Sequence, residues 1–203
     1  MRLAILLSGR GSNFLAIHEA IAASRLPAEI AVVIANRPEA PGLGLARNAG
    51  YETHAIDNRL YKTRAEHEDA VIALIDRAEV DFICLAGYMR LLSPSFVRRF
   101  QHRIVNIHPS LLPSFPGVDA QAQAVAHGVR ISGCTVHLVD ENLDAGPILV
   151  QRAVEVRDDD DAETLSARIL VEEHLAYVDA LIKLGRGAPI IEGRRVIFAT
   201  RDS

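Results

Sequence analysis

The chain has 203 residues, 49% of them hydrophobic and 24% charged, with a formal net charge of −4. That length suits one large domain or two small ones, and the balance is ordinary for a soluble globular protein. The negative charge argues against a bulk nucleic-acid partner, and no window approaches the roughly 18 continuous apolar residues of a membrane span.

Short apolar runs alternate with helix-period segments, which predicts an α/β fold built on an open, mostly parallel sheet with flanking helices. Residues 1–7 carry one basic residue and a brief apolar run, too short for a secretory signal, so Leu3–Leu7 is predicted as a buried first strand. A helix is predicted over Asn13–Ala23, a strand over Ile30–Ala35 and a short helix over Pro41–Ala49, which Gly50 is placed to end. Thr53–Ile56 reads as a third strand. Thr63–Ala78 reads as an amphipathic helix with Ala65, Ala70, Val71, Leu74 and Ile75 on its apolar face. Phe82–Ala86 is a continuous apolar run, expected as a central strand buried on both faces. Pro94–Phe100 begins with the proline that favours a helix start, and Ile104–Ile107 is the next strand.

The character then changes. Leu111–Val118 holds two prolines and a glycine and is expected to be irregular. Ala120–His127 reads as a helix, and Ser132–Val139 with Ile148–Val156 as two strands joined by Asp140–Pro147, giving antiparallel strands in the C-terminal part. Asp161–Leu184 is a long helix whose start carries the acidic run Asp158–Asp161, where negative charge complements the helix dipole. Residues 189–198 read as a terminal hairpin around Glu192-Gly193. One domain over 1–203 is expected, with a nucleotide-fold half at 1–100 and a more irregular half at 101–203. Cys84 and Cys134 lie in apolar stretches and read as buried reduced thiols, which makes the cytoplasm the default location.

Two segments carry the chemistry. Ser8-Gly9-Arg10-Gly11-Ser12-Asn13 follows the first strand and opens a helix, a place where backbone N–H groups cradle phosphate. Ser12 or Asn13 is also a candidate cap for that helix. A dinucleotide fingerprint needs glycine or alanine where Phe14 stands and an acidic residue where Asn36-Arg37 stands, and an ATP-binding loop needs Gly-Lys-Ser/Thr. A phosphate monoester therefore fits better than NAD or ATP.

The second segment is Asn106-Ile107-His108-Pro109-Ser110, followed later by Asp144-Ala145-Gly146-Pro147. Alternation along a strand puts Asn106 and His108 on one face. A carboxylate beside an imidazole favours its charged form and fixes the ring, and an amide adds a neutral donor for a developing oxyanion. That set suits acyl transfer with no obvious protein nucleophile. Asp144 is equally readable as a turn carboxylate bonding its own backbone. His137 either joins the site or is a hydrogen-bonded core histidine. His108, His137 and Asp144 are ligand types for zinc, but metal-binding spacings are missing, so no metal is expected.

Ser8-Gly9-x-Gly11-Ser12-Asn13, Ala86-Gly87-Tyr88-Met89-Arg90-Leu91-Leu92-Ser93, Asn106-Ile107-His108-Pro109-Ser110-Leu111-Leu112-Pro113 and the Asp144-x-Gly146-Pro147 turn together resemble the phosphoribosylglycinamide formyltransferases, also called glycinamide ribonucleotide transformylases, of the folate-dependent formyltransferase family. The similarity runs from residue 3 to about residue 175. It implies a Rossmann-like formyltransferase fold and transfer of a formyl group from 10-formyltetrahydrofolate to glycinamide ribonucleotide in purine biosynthesis. By that resemblance Gly11, Ser12 and Asn13 would hold the substrate phosphate, and Glu173 would contact its glycinamide end. Arg64, Met89, Arg90, Leu91, Leu92, Asn106, Asp140 and Asp144 would serve the folate, with the 140–144 loop closing over the pterin. Asn106, His108 and Asp144 would form the catalytic trio. The implied partners are these two small molecules, for a monomer or homodimer with no nucleic acid or membrane. Two relatives fit less well: the hydrolase of formyltetrahydrofolate carries an N-terminal regulatory domain, and the methionyl-tRNA enzyme carries a C-terminal barrel for tRNA. A non-catalytic nucleotide-binding module is the alternative of another class.

Overall fold

A computed structural model describes residues 1–198, which fall into two compact units, Met1–Asn106 and Ile107 onward. The first unit runs β1 (Arg2–Leu7), α1 (Ser12–Ala22), β2 (Glu29–Ala35), α2 (Pro41–Asn48), β3 (Thr53–Ala55), α3 (Arg64–Ala78), β4 (Phe82–Leu85), α4 (Pro94–Arg99) and the opening residues of β5 (Ile104–His108). Its strands are all parallel in the order β3-β2-β1-β4-β5. Leu3 through Leu7 are fully buried on β1, between Val32–Ala35 of β2 and Phe82–Leu85 of β4. A strand buried on both faces has no polar side to show, which is why these segments read as unbroken apolar runs.

Local chemistry sets the helix ends. Thr63 caps α3 through its hydroxyl while the Glu66 side chain returns to the Thr63 N–H, a complete capping box. Pro41 opens α2, and Gly50 follows its end at φ +85° with its N–H on the Arg47 carbonyl. The buried face of α3 differs from the predicted one. It comprises His67, Glu68, Val71 and Ile75, while Ala65 is exposed and Ala70 and Leu74 are half-buried. Two polar residues take the apolar positions because each finds a partner. His67 Nε2 donates to the Ile56 carbonyl at 3.0 Å, and the Glu68 carboxylate accepts the Ser93 N–H at 2.8 Å and the Ser93 hydroxyl.

The second unit contains α5 (Ala120–Ala126), β6 (Ile131–Leu138), β7 (Ile148–Glu155), α6 (Ala162–Gly185) and the hairpin of β8 (Ile190–Glu192) with β9 (Arg195–Ile197). β6 and β7 pair antiparallel, as expected. α6 packs on both strands, burying Leu165, Ile169, Tyr177 and Leu181. Arg152 of β7 reaches Glu172 at 3.1 Å and Asp179 at 2.5 Å on α6. Asp161 caps α6 and exchanges hydrogen bonds with Thr164, so the acidic run does begin a helix. Cys84 and Cys134 are buried and form no disulfide with each other. Among the described residues no helix is long and apolar enough to cross a membrane.

Candidate active site

Asn106 and His108 sit on β5, and the strand includes His108 rather than stopping at Ile107. His108 is 4% exposed. Its Nδ1 lies 3.4 Å from Asp144 Oδ2, and its Nε2 lies 2.8 Å from the Phe115 carbonyl oxygen. An oxygen acceptor thus faces each ring nitrogen, the Phe115 carbonyl at hydrogen-bonding distance and the Asp144 carboxyl at ion-pair distance. Asp144 Oδ2 also accepts the Gly117 N–H at 2.8 Å. The carboxylate therefore turns to His108 and Gly117 rather than to its own turn.

That aim is built into the 140–147 loop. Asp140 accepts the Asn142 N–H at 2.9 Å, which opens the loop with an Asx-turn, and Asp144 itself adopts φ +50°. Gly146 is required by space: a Cβ there would stand 1.9 Å from the Leu138 carbonyl oxygen. The Leu138 N–H binds the Pro147 carbonyl at 2.8 Å, locking the turn to the end of β6.

His137 lies on β6, fully buried, with Nδ1 on the Leu138 carbonyl at 3.0 Å and Nε2 3.8 Å from Asp144 Oδ1. Burial pushes its pKa down, against the opposing pull of the Leu138 carbonyl and Asp144. It is both a hydrogen-bonded core histidine and a neighbour of the carboxylate. Glu173 is buried on α6, and its charge adds to the burial that pushes the Cys134 thiol up to about 12.

The segment 110–118, irregular as expected, is pinned at several points. Thr135 Oγ1 donates to the Ser110 carbonyl at 2.7 Å and accepts from the Leu112 N–H and Gln151 Nε2, each at 3.0 Å. Gln151 also donates to the Leu112 carbonyl at 2.8 Å, and the Leu112–Pro113 peptide is cis. Neither Thr135 nor Gln151 carries a motif that sequence reasoning could use. They are found only because β6 and β7 bring them beneath the loop.

In the first unit, Gly11, Ser12 and Asn13 stand at the start of α1. The N-cap is Gly11 at φ +80° and ψ +25°, and no side chain caps the helix. This corrects the expectation that Ser12 or Asn13 caps it: both lie inside the first turn, and the cap is a glycine.

Ser8 links this loop to the 86–93 connection. Its hydroxyl donates to Asn36 Oδ1 at 2.6 Å and accepts the Met89 N–H at 2.8 Å, while its own N–H reaches the Gly87 carbonyl at 3.1 Å. Asn36, standing where a dinucleotide site needs a carboxylate, is thus committed to the loop. Asn58 extends the network: with its amide oxygen toward Arg90 Nη1 at 2.9 Å, its nitrogen reaches the Asn36 carbonyl at 3.0 Å. Within the connection Met89 and Leu91 are open to solvent, 75% and 63% exposed. Tyr88 beside them is held up to about 12 by burial. Arg64 is exposed at the first turn of α3.

The chain matches the formyl transferase family over residues 1–181. It is 42% identical over 202 residues to the trifunctional purine biosynthetic protein adenosine-3 of Bos taurus, covering 99% of this chain but only 20% of that protein. This chain thus spans about a fifth of that longer relative. Over 90% of this chain and 94% of the relative, it is 39% identical to phosphoribosylglycinamide formyltransferase of Bacillus subtilis. The crystal structure of glycinamide ribonucleotide transformylase 1 from Symbiobacterium toebii superposes with a TM-score of 0.96 at 44% identity, covering 98% of this chain and 94% of that one. By sequence and by fold, the chain belongs to the phosphoribosylglycinamide formyltransferase family of formyl transferases.

Proposed function

We propose that this chain transfers the formyl group of 10-formyltetrahydrofolate to the primary amine of glycinamide ribonucleotide, giving formylglycinamide ribonucleotide and tetrahydrofolate. The observation that carries the reading is the buried His108–Asp144 pair, 3.4 Å apart, on a strand that also presents Asn106. Three candidate nucleophiles of the second unit are committed elsewhere. Ser110 donates to the Ser114 carbonyl at 2.5 Å, Thr135 donates to Ser110, and the Cys134 thiol is held protonated. Attack is left to the substrate amine.

The folate fits the 86–93 connection. Exposed Met89 and Leu91 offer apolar cover to a flat heteroaromatic ring, and backbone groups orient it. The Met89 N–H is already bound to Ser8, so reading the pterin edge falls to the backbone of Arg90 and Leu92. Arg64 and Asp140 also serve the folate, and the 140–144 loop serves its pterin. Gly11, Ser12 and Asn13 bind the phosphate, and Glu173 takes the glycinamide end.

When bound, 10-formyltetrahydrofolate supplies the formyl carbon: a bond to the substrate nitrogen forms, the bond to N10 breaks, and one proton passes from the amine to N10. Asn106 and the doubly protonated His108 stabilise the negative charge that develops on the formyl oxygen. Asp144 fixes Nδ1, so Nε2 is the nitrogen offered to that oxygen. The formyl oxygen must therefore displace the Phe115 carbonyl that now holds Nε2. Asp144 also assists the proton's passage through a water.

The two units act as halves of one formyltransferase domain over 1–203, since the family match extends across both. With two soluble small molecules as partners, the enzyme works in the cytoplasm as a monomer or homodimer. Incubating the full chain with both substrates and weighing the nucleotide product tests the reading. Gain of one formyl group on the nucleotide is the expected result. Release of formate without a formylated nucleotide would overturn it.

A further inference from the structure

Gly11 and Gly42 touch through their backbones. A Cβ on Gly11 would stand 2.7 Å from the Gly42 Cα, and a Cβ on Gly42 would stand 2.9 Å from the Gly11 Cα and 3.0 Å from the Gly9 carbonyl oxygen. The Gly42 N–H closes the contact by donating to that same Gly9 carbonyl at 3.0 Å. All these atoms are main chain, so no side-chain rotation relieves an added methyl. Gly44, two residues further along the same helix, meets nothing within 4 Å at its own Cβ position. Gly42 also has no left-handed φ that would demand glycine. It is glycine for space alone, and the space is occupied by the loop on which Gly11 sets the start of α1.

We propose that Gly42 is a positioning residue for substrate phosphate: the first turn of α2 is the seat that holds Gly9–Gly11 in the shape that presents the leading N–H groups of α1. This rests on the reading of Gly11–Asn13 as the phosphate cradle. The cradle has no side-chain cap to hold it, and Gly11 sits in a conformation many backbones leave readily. Ser8 ties the start of the loop to Asn36, Gly87 and Met89, and α2 is the neighbour that touches Gly9 and Gly11 themselves. Hydrogen bonds from N–H groups to a charged acceptor depend steeply on geometry. A displacement of a few tenths of an ångström at Gly11 therefore falls on phosphate binding rather than on the formyl-transfer step.

The test compares Gly42→Ala with Gly44→Ala in the full chain by steady-state kinetics. Gly42→Ala should raise the KM for glycinamide ribonucleotide by about tenfold or more, the scale of losing one charge-assisted hydrogen bond. Its kcat and its KM for 10-formyltetrahydrofolate should stay near wild type, and Gly44→Ala should match wild type in all three. An unchanged KM for the nucleotide in folded Gly42→Ala, or an equal rise in both KM values, would overturn the proposal. Amide hydrogen exchange on the wild-type chain decides the matter if Gly42→Ala does not fold. Ribose 5-phosphate should slow exchange at Ser12, Asn13 and Gly42 together. Slowing at Ser12 and Asn13 with none at Gly42 would overturn the seat alone. No slowing at any of the three would overturn the phosphate cradle itself.

Discussion

Thr135 satisfies three groups with one hydroxyl, and the loop that touches His108 depends on them. Through that loop come the Phe115 carbonyl on Nε2 and the Gly117 N–H on Asp144. Replacing Thr135 with valine keeps the shape and removes the hydroxyl, leaving the Leu112 N–H and the Ser110 carbonyl buried and short of a partner. Thr135→Val should lower stability by about 1–3 kcal/mol in urea unfolding and slow turnover more than it weakens substrate binding. Wild-type stability would mean that water or Gln151 takes over the bonds. At this scale the sequence was legible where chemistry and position coincide. Asn106, His108 and Asp144 share a recognisable spacing, and the carboxylate does meet the ring. Thr135, Gln151 and Ser8 were not legible, because their roles arise from backbone groups that only the fold brings near.

Element boundaries followed from local signals to within a residue or two. Proline opens α2 and α4, Thr63 and Asp161 cap α3 and α6, and the apolar runs of β1, β2 and β4 are strands. The face of α3 was misjudged for a physical reason. Periodicity counts His67 and Glu68 as polar, whereas the fold supplies each with a hydrogen-bond partner and buries it. The same blindness hid Gly42, since close approach between two backbones leaves no trace in hydropathy. The Thr63 capping box predicts its own measurement. Thr63→Ala should destabilise the protein by about 1 kcal/mol, with amide exchange in the first turn of α3 accelerated before that of its centre. Uniform acceleration along the helix would place the loss elsewhere.

For the molecule as a whole, buried histidines set the response to acid. His67 is almost fully buried with Nδ1 unpartnered, and burial lowers its pKa despite the bond to the Ile56 carbonyl. His137 is lowered for the same first cause. A group whose folded pKa lies below its unfolded value of about 6.5 contributes fully above that pH, and its contribution is lost as pH falls toward the folded value. The melting temperature should therefore fall between about pH 7 and pH 5. His67→Gln, which keeps a donor for the Ile56 carbonyl, should flatten part of that fall. A melting temperature that is level or rising over this interval would contradict the burial argument.

Turnover by His108→Ala in the presence of both substrates bears most directly on the central claim, that the ring of His108, set by Asp144, stabilises the charge formed during formyl transfer. Single-turnover formation of formylglycinamide ribonucleotide should fall by about a hundredfold or more, while both substrates bind with nearly wild-type affinity. A His108→Ala enzyme that formylates the nucleotide at close to the wild-type rate would contradict the account.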